Sequence, residues 1–254
     1  MTETVLYETR DAIAVVTINR PQARNAIDLT TARALDEALT RADADDDVRV
    51  VVLTGAEDKA FSAGMDLKAF ANGEMPFTEH GFAGVVEHPF SKPLIGAANG
   101  SAFAGGFEVL LSCDLLIAAE HALFGIPEVQ RGLFAGAGGL LRLPRRIPRS
   151  VAAQMAFTGD PITAVRAHEL GLVNAVVPSE ALLTEALALA TRIASNAPLA
   201  VRVTKQVLRE TMDMNEAEGW RVSKAAFERI AASADALEGA VAFAEKRAPE
   251  WTGR

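Results

Sequence analysis

The chain has 254 residues, of which 50% are hydrophobic and 23% charged, and its formal net charge is −8. This composition is typical of a globular protein and excludes a disordered one. The acidic balance argues against nucleic acid or an anionic membrane as the main partner, because both need an excess of lysine and arginine. The single cysteine, Cys113, excludes an internal disulfide and is interpreted as a small buried side chain in a reducing compartment.

The start of the chain has neither the basic segment nor the apolar run of a signal peptide. A longer apolar stretch at 93–119 is interrupted by Asn99-Gly100 and Gly105-Gly106. It therefore predicts a strand, a turn and a buried helix rather than a membrane span. We expect a cytoplasmic protein without a membrane partner.

The first third of the chain predicts a hairpin and a helix. Runs rich in Val, Ile and Thr at 6–10 and 12–19 predict the hairpin, and Pro21 ends its second strand. Asp28 is a suitable N-cap for an amphipathic helix over 29–44.

Further along, continuous apolar runs predict three strands covered on both faces, at 48–54, 91–99 and 115–119. Between 70 and 89, glycines and a proline break the pattern, which favours a mobile or substrate-shaped segment over a core element. The rest predicts helices, at 150–157, 163–170, 180–196, 198–211, 215–232 and 235–246. Early strands and late helices indicate a mixed α/β core with a helical C-terminal layer.

One sequence pattern occurs twice after a predicted strand. The first copy is Ala60-Phe61-Ser62-Ala63-Gly64-Met65, and the second is Ala102-Phe103-Ala104-Gly105-Gly106. Each copy predicts a strand–turn–helix unit with free backbone N–H groups where a helix begins, and two copies could direct two donors at one anion. Two unrelated tight turns are the alternative.

Two glutamates are the candidates for proton transfer. Glu108 lies in the first turn of a helix that is apolar on every face, with no lysine or arginine three or four residues away. Burial would raise its pKa, and the helix N-terminus would partly oppose that rise. Glu128 follows Pro127, and two carboxyls facing one small volume can act as acid and base. The alternatives are a buried glutamate bonded to backbone and an ordinary acid at a helix start.

The other polar groups carry weaker signals. Gly136-Ala137-Gly138-Gly139 allows close backbone approach and offers a further N–H for water or substrate. The four histidines show no metal-ligand spacing, and neither a P-loop nor a dinucleotide fingerprint is present, so we expect no metal. The arginines of 142–149 could bind phosphates, but a solvated loop is the favoured interpretation.

Several motifs together resemble the crotonase (enoyl-CoA hydratase/isomerase) family, in its order and at its spacing. They are Asn19-Arg20-Pro21 with Asn25-Ala26, Ala60 to Leu67, Asn99-Gly100 with Ala104 to Glu108, Phe124 to Glu128, Gly136 to Gly139, and Phe243 to Arg247. The resemblance implies an α/β fold, a spiral of ββα units over 1–195 followed by a helical trimerisation region over 196–254. It implies an acyl-CoA substrate, no separate cofactor, and a homotrimer or a dimer of trimers.

The resemblance also implies roles for individual residues. Met65 and Gly105 would supply the backbone N–H groups of an oxyanion hole, and Glu108 and Glu128 would be catalytic. The remaining substrate-binding residues would be Ala63, Gly64, Asp66, Leu67, Lys68 and Gly136, with Phe243 and Lys246 reaching the CoA of a neighbouring subunit.

A glutamate at both catalytic positions is similar to hydratases, which implies addition of water to a 2-enoyl-CoA. Ala104 stands where hydratases often have a glycine, which is a tolerable change. Phe134-Ala135 stands where hydratases commonly have Ile-Pro, and this second difference leaves the shape of the acyl pocket open. The segment 139–144 and the C-terminal tail are similar to carnitinyl-CoA dehydratases. The alternatives are such a dehydratase, a double-bond isomerase, and a non-catalytic acyl-CoA-binding or RNA-binding relative.

Overall fold

The computed structural model describes residues 3–254. Its strands are β1 (Val5–Arg10), β2 (Ile13–Ile18), β3 (Val50–Gly55), β4 (Ala60–Ser62), β5 (Phe77–Thr78), β6 (Gly81–Phe82), β7 (Leu94–Ala98), β8 (Ser101–Phe103), β9 (Leu115–Ala119), β10 (Leu123–Gly125), β11 (Ile162–Thr163) and β12 (Ala175–Val177). Its α-helices are α1 (Leu29–Ala44), α2 (Leu67–Ala71), α3 (Gly105–Ser112), α4 (Gly139–Arg146), α5 (Arg149–Thr158), α6 (Ala164–Glu169), α7 (Leu182–Ala194), α8 (Pro198–Thr211), α9 (Glu216–Ala231) and α10 (Ala234–Glu245). Short 3-10 helices lie at Pro21–Ala23, Pro127–Arg131 and Ser179–Ala181.

The larger sheet has six strands in the order β1-β2-β3-β7-β9-β12, parallel except for the β1–β2 hairpin. Its strands alternate between two cores, as the pleat requires. In β3, Val51 and Leu53 face the main core, whereas Val50 and Val52 face a second core covered by α7. The prediction of strands covered on both faces is confirmed.

A smaller sheet in the order β11-β10-β8-β4 lies along the repeated units. After each of β3, β7 and β9 the chain passes from the larger sheet to a short strand of the smaller one, and β4 and β8 are followed by α2 and α3. Because β4 and β8 pair in parallel, the two copies of the repeated sequence are neighbours. This is a spiral of ββα units, as the resemblance to the crotonase family implies.

The segment between α2 and β7 differs from its prediction. It contains the β5–β6 hairpin, and Phe82, Ala83, Val85 and Val86 are buried in the main core. The interpretation of 70–89 as lying outside the core is therefore wrong for 82–86. Glycines allow the tight bends there, and the apolar residues between them fill the space beside α1 and α3.

The C-terminal helices differ in how they contact the core. On α8, Lys205 Nζ lies 2.8 Å from an Asp114 carboxylate oxygen and donates to the Lys92 carbonyl at 2.7 Å. On α9, in contrast, no residue is buried in the described chain. The division at 195/196 falls between α7 and α8 and stays a prediction. Over residues 3–254, no helix combines the length and apolar character needed to cross a membrane.

Candidate active site

Two buried asparagines fix the turn that leads into the first repeated segment. The side-chain amides of Asn25 and Asn99 donate to the Ala60 carbonyl at 2.8 and 3.2 Å. Asn99 Oδ1 accepts from the Gly55 N–H at 2.9 Å, at the end of β3. The asparagine motifs therefore hold the start of β4 in place, and with it the chain that follows.

The Met65 amide points away from the segment that contains Ile27. Ile27 N donates to Gly64 O at 2.8 Å, and Asp66 N donates to Ile27 O at 2.9 Å. Since successive peptide groups of an extended segment face opposite sides, the Met65 N–H faces the other way. In the described chain it has no backbone acceptor.

The Gly105 amide begins α3 beside the same segment. As the first N–H of the helix it has no intrahelical partner. A Cβ on Gly64, whose φ is +86°, would lie 2.9 Å from Gly105 N. The structure thus brings the two predicted donors into neighbouring positions, and glycine at 64 keeps the space beside Gly105 N open.

The start of α3 is tightly enclosed. A Cβ on Gly105 would lie 2.5 Å from the buried Phe82 ring, and one on Gly106 would overlap the Ser62 carbonyl. Ala104, immediately before the helix, adopts φ 51° and ψ −131°, a conformation that L side chains rarely adopt. Small residues are therefore required for the helix to approach β4 and β6 this closely.

Glu108 is buried in α3, only 3% exposed, and has partners distant in sequence. Its Oε1 accepts from the N–H groups of Ala137 and Gly139, both at 2.8 Å. Burial raises the pKa of Glu108, and these two hydrogen bonds and the Arg142 charge oppose the rise. The alternative of a glutamate bonded to backbone is thus correct for one oxygen. Two N–H groups of the segment that was expected to offer a donor for water or substrate thus serve Glu108 instead.

Glu128 lies in the 3-10 helix after β10, in an environment that offers its carboxyl fewer hydrogen bonds. Its Oε2 is buried and, within residues 3–254, has no hydrogen-bond partner. Burial raises the pKa of Glu128 to about 7, and the Glu108 charge adds to the rise. The Glu108 charge therefore influences Glu128, and the expectation that both carboxyls face one small volume stays a prediction.

The other predicted substrate-binding residues fall into two groups. Asp66 caps α2, accepting from the Lys68 and Ala69 N–H groups, and its carboxylate lies 3.1 Å from Arg20 Nη2, so it is already engaged. The other residues differ in exposure. Gly64 is buried and Ala63 is partly buried, whereas the exposed ones are Leu67, Lys68, Gly136, Phe243 and Lys246. Their roles stay predictions.

The arginine-rich segment is not a solvated loop, so that interpretation is wrong. Arg142 and Arg146 lie in α4 and are partly buried, and Arg146 donates to the Cys113 carbonyl. Pro144 is accommodated inside this short helix. Cys113 itself is fully buried, which raises the pKa of its thiol to about 12 and confirms its interpretation as a small core residue.

Spacing in the sequence did not reveal a cluster of two histidines and an aspartate. His80 Nδ1 lies 2.6 Å from Asp36 Oδ1, and His88 Nε2 lies 3.8 Å from the same oxygen. Two ligands of one zinc ion stand about 3.3 Å apart, given bonds of about 2.0–2.1 Å, so the closer pair forms a hydrogen bond instead. The cluster fastens the β5–β6 hairpin to α1.

Two cavities border these elements. One of about 200 Å³ lies beside Gly139, between α4 and α5, and is lined mainly by Ile126, Leu140, Leu143, Pro144, Ala152 and Phe157. A wider one of about 600 Å³ lies between α1 and β5, bordered by Asp36 and Thr78, and contains none of the predicted site residues. The smaller cavity is therefore the one that adjoins the Glu108 environment.

Comparison with known proteins agrees with this arrangement. A family profile described as enoyl-CoA hydratase/isomerase matches residues 8–254. The carnitinyl-CoA dehydratase of Salmonella arizonae is 44% identical over 261 residues, covering all of both chains. The structures of an enoyl-CoA hydratase from Mycobacterium tuberculosis H37Rv (47% identical, TM-score 0.97) and a carnitinyl-CoA hydratase from Mycobacterium avium (45%, TM-score 0.82) also cover all of both chains. The chain therefore belongs to the enoyl-CoA hydratase/isomerase (crotonase) family.

Proposed function

We propose that this protein is an enoyl-CoA hydratase, which adds water across the double bond of a 2-enoyl-CoA thioester. The observation that carries the proposal is the pair of carboxyls of buried Glu108 and partly buried Glu128: Glu108 accepts two backbone hydrogen bonds, whereas one buried oxygen of Glu128 has no partner in the described chain. Such a pair suits a reaction that removes one proton and delivers another. The two N–H groups at Met65 and Gly105 suit the oxyanion that forms between these steps.

In the proposed reaction, Glu108 accepts a proton from water as the water oxygen bonds to the β-carbon. The electrons of the double bond move toward the thioester, whose oxygen becomes negative and accepts hydrogen bonds from Met65 and Gly105. Glu128 then gives its proton to the α-carbon, and the carbonyl re-forms. Each preorganised donor contributes about 3–4 kcal/mol to stabilising such an oxyanion. CoA is part of the substrate, and no further cofactor is needed.

The assignment of base and acid follows from the hydrogen bonds. Glu108 Oε1 accepts two backbone hydrogen bonds, which favour its ionised form. Glu128 Oε2 has no partner in the described chain, and the pKa of Glu128 is about 7, so a large fraction is protonated at neutral pH. Glu108 is thus the better base and Glu128 the better proton donor.

We further propose that residues 63–68 and Gly136 contact the thioester and CoA, and that Phe243 and Lys246 contact the CoA of a neighbouring subunit in a trimer or dimer of trimers. Support for the contact with a neighbouring subunit comes from exposure, since Phe243 at the end of α10 is 87% exposed in the single chain. An aromatic side chain left in this position is suited to contact with another molecule.

The second candidate is dehydration of a carnitinyl-CoA, the activity named for relatives such as that of Salmonella arizonae. The two reactions share their chemistry and differ in the acyl group. A mainly apolar cavity beside Gly139, with Arg149 as its only charged lining residue, favours an uncharged acyl chain over a trimethylammonium group.

The test is to mix the protein with 2-enoyl-CoA esters of increasing length and with crotonobetainyl-CoA, and to follow loss of the conjugated thioester absorbance. We expect hydration of uncharged esters. Glu108→Gln and Glu128→Gln should each lower the rate by about 10²–10⁴-fold, whereas Glu120→Gln, on an exposed residue, should not. Preference for crotonobetainyl-CoA would favour the second candidate, and full activity of either glutamine variant would remove that residue from the mechanism.

A further inference from the structure

Arg142 lies one turn into α4, partly buried between two segments that border the candidate site. Its Nη1 donates to the Ala137 carbonyl at 3.4 Å, and its Nη2 donates to the Val86 carbonyl. Gly138 takes φ +100°, and a Cβ there would overlap Arg142 Nη1. The backbone is thus shaped to admit the guanidinium.

The two contacts of Arg142 involve different parts of the candidate site: the segment that donates to Glu108 and the segment that covers Gly105. Ala137 donates its N–H to Glu108, so the first contact holds a segment that orients the carboxylate. Val86 N donates to the Phe82 carbonyl at 3.3 Å, and the Phe82 ring covers Gly105. One side chain therefore connects the donors of Glu108 to the wall beside the Gly105 amide.

Several charged groups surround Arg142 and the two glutamates. Arg142 lowers the pKa of Glu108 by its positive charge, and Glu108 in turn raises the pKa of Glu128. Arg142 itself faces the cations Arg146 and Arg209 and the anion Glu87, besides Glu108, and its own pKa is lowered mainly by burial. A guanidinium remains protonated even so.

We propose that Arg142 is a positioning residue: it fixes the segment that donates to Glu108 relative to the wall over Gly105, and it supplies the positive charge that faces the Glu108 carboxylate. The inference deepens the proposed hydratase function and rests on it for its kinetic consequences. Its structural basis, a guanidinium bound to two carbonyls, is independent of the acyl group.

The test compares three variants of the full-length protein with a matched control. Arg142→Met and Arg142→Gln remove the charge, and Arg142→Lys keeps it. Arg145→Met is the control, because Arg145 lies on the same helix but is exposed and pairs with Asp213. The readouts are the pH profiles of kcat and kcat/KM, and the ¹³C titration of the Glu108 carboxyl, assigned with Glu108→Gln.

We expect the two uncharged variants to lower kcat by about 10–100-fold, with a smaller change in KM, because Glu108 is misplaced. The acid limb of kcat/KM and the Glu108 titration should both move to higher pH. Arg142→Lys should keep the titration near that of the wild type, and Arg145→Met should change nothing.

Two results would overturn the inference: a folded Arg142→Gln protein whose Glu108 titration is unchanged, or an Arg142→Lys protein shifted as far as Arg142→Gln. If Arg142→Met does not fold, these two variants decide the question. A wild-type protein inactive on all esters would reject the hydratase proposal alone, since the titration needs no substrate.

Discussion

The carboxyls of Glu108 and Glu128 differ in how readily they take up a proton, because their hydrogen-bond partners differ. Backbone N–H groups compensate Glu108, whereas one oxygen of Glu128 is buried with no partner in the described chain. A buried polar atom without a hydrogen bond costs about 1–3 kcal/mol, and a buried charge costs more, so Glu128 takes up a proton more readily. The chemical division between base and acid follows from this local difference.

The pKa of Glu128 leads to a prediction about pH. If Glu128 must be protonated to deliver its proton, the fraction of competent enzyme falls as pH rises through about 7. We expect kcat for hydration to decrease from pH 6.5 to about 8.5, approaching a tenfold loss per pH unit at the upper end. Measurement of kcat at saturating substrate across this range checks it. A rate that increases with pH would show that Glu128 is not the acid.

Gly64 allows a test of the donor pair. In Gly64→Ala, the new methyl group would lie 2.9 Å from Gly105 N and would displace it or block its N–H. We expect kcat to fall by about 10²–10³-fold, the usual cost of one oxyanion donor. Gly73→Ala is the matched control, because Gly73 has almost the same φ, +84°, with nothing within 4 Å. Equal losses in both variants would attribute the effect to backbone strain instead.

At the scale of elements, the turn between β8 and α3 stores strain at Ala104. The change from the glycine frequent in hydratases looks tolerable in the sequence, yet Ala104 takes φ 51° with ψ −131°. Such a conformation costs about 1–3 kcal/mol for a residue other than glycine. The Ala104 N–H donates to Gly125 O, and its carbonyl accepts from Phe107 and Glu108, which holds it in place.

We therefore expect Ala104→Gly to stabilise the protein by about 1 kcal/mol, because relief of strain exceeds the added entropy of the unfolded chain. This corresponds to an increase in Tm of about 2–4 °C. Differential scanning calorimetry measures it. Ala102→Gly, two residues earlier in β8 and buried, is the control and should lower Tm. A decrease for Ala104→Gly as well would contradict the assignment of strain.

Local signals predicted the helices and strands well, and non-local contacts limited the rest. Asp28 accepts the Thr31 N–H at the start of α1, as the sequence predicts. The partners of Glu108 lie 29 and 31 residues away, so no pattern within one helix could reveal them. Arg142 was misassigned for the same reason: its contact with Val86, 56 residues away, depends on how the chain folds back.

At the scale of the whole molecule, the single chain leaves an apolar surface that its own core does not use. Trp220 and Phe227 lie seven residues apart on one face of α9 and are 56% and 71% exposed, and Phe243 on α10 is more exposed still. Surfaces of this kind on a folded protein mark contacts with other chains. They support the proposed assembly through α8–α10.

That assembly gives the last prediction. Phe227→Glu places a charge on this surface, and we expect it to convert an assembly of three or six chains into smaller species, because burying an unpaired carboxylate costs several kcal/mol. Ala225→Glu is the control, since it adds the same charge on another exposed side of α9. Light scattering after size-exclusion chromatography gives the masses. If Phe243 and Lys246 contact the CoA of a neighbour, the dissociated variant should also show a higher KM for enoyl-CoA with its Glu108 titration unchanged. Wild-type protein that is monomeric at micromolar concentration would reject both the assembly and the shared CoA site.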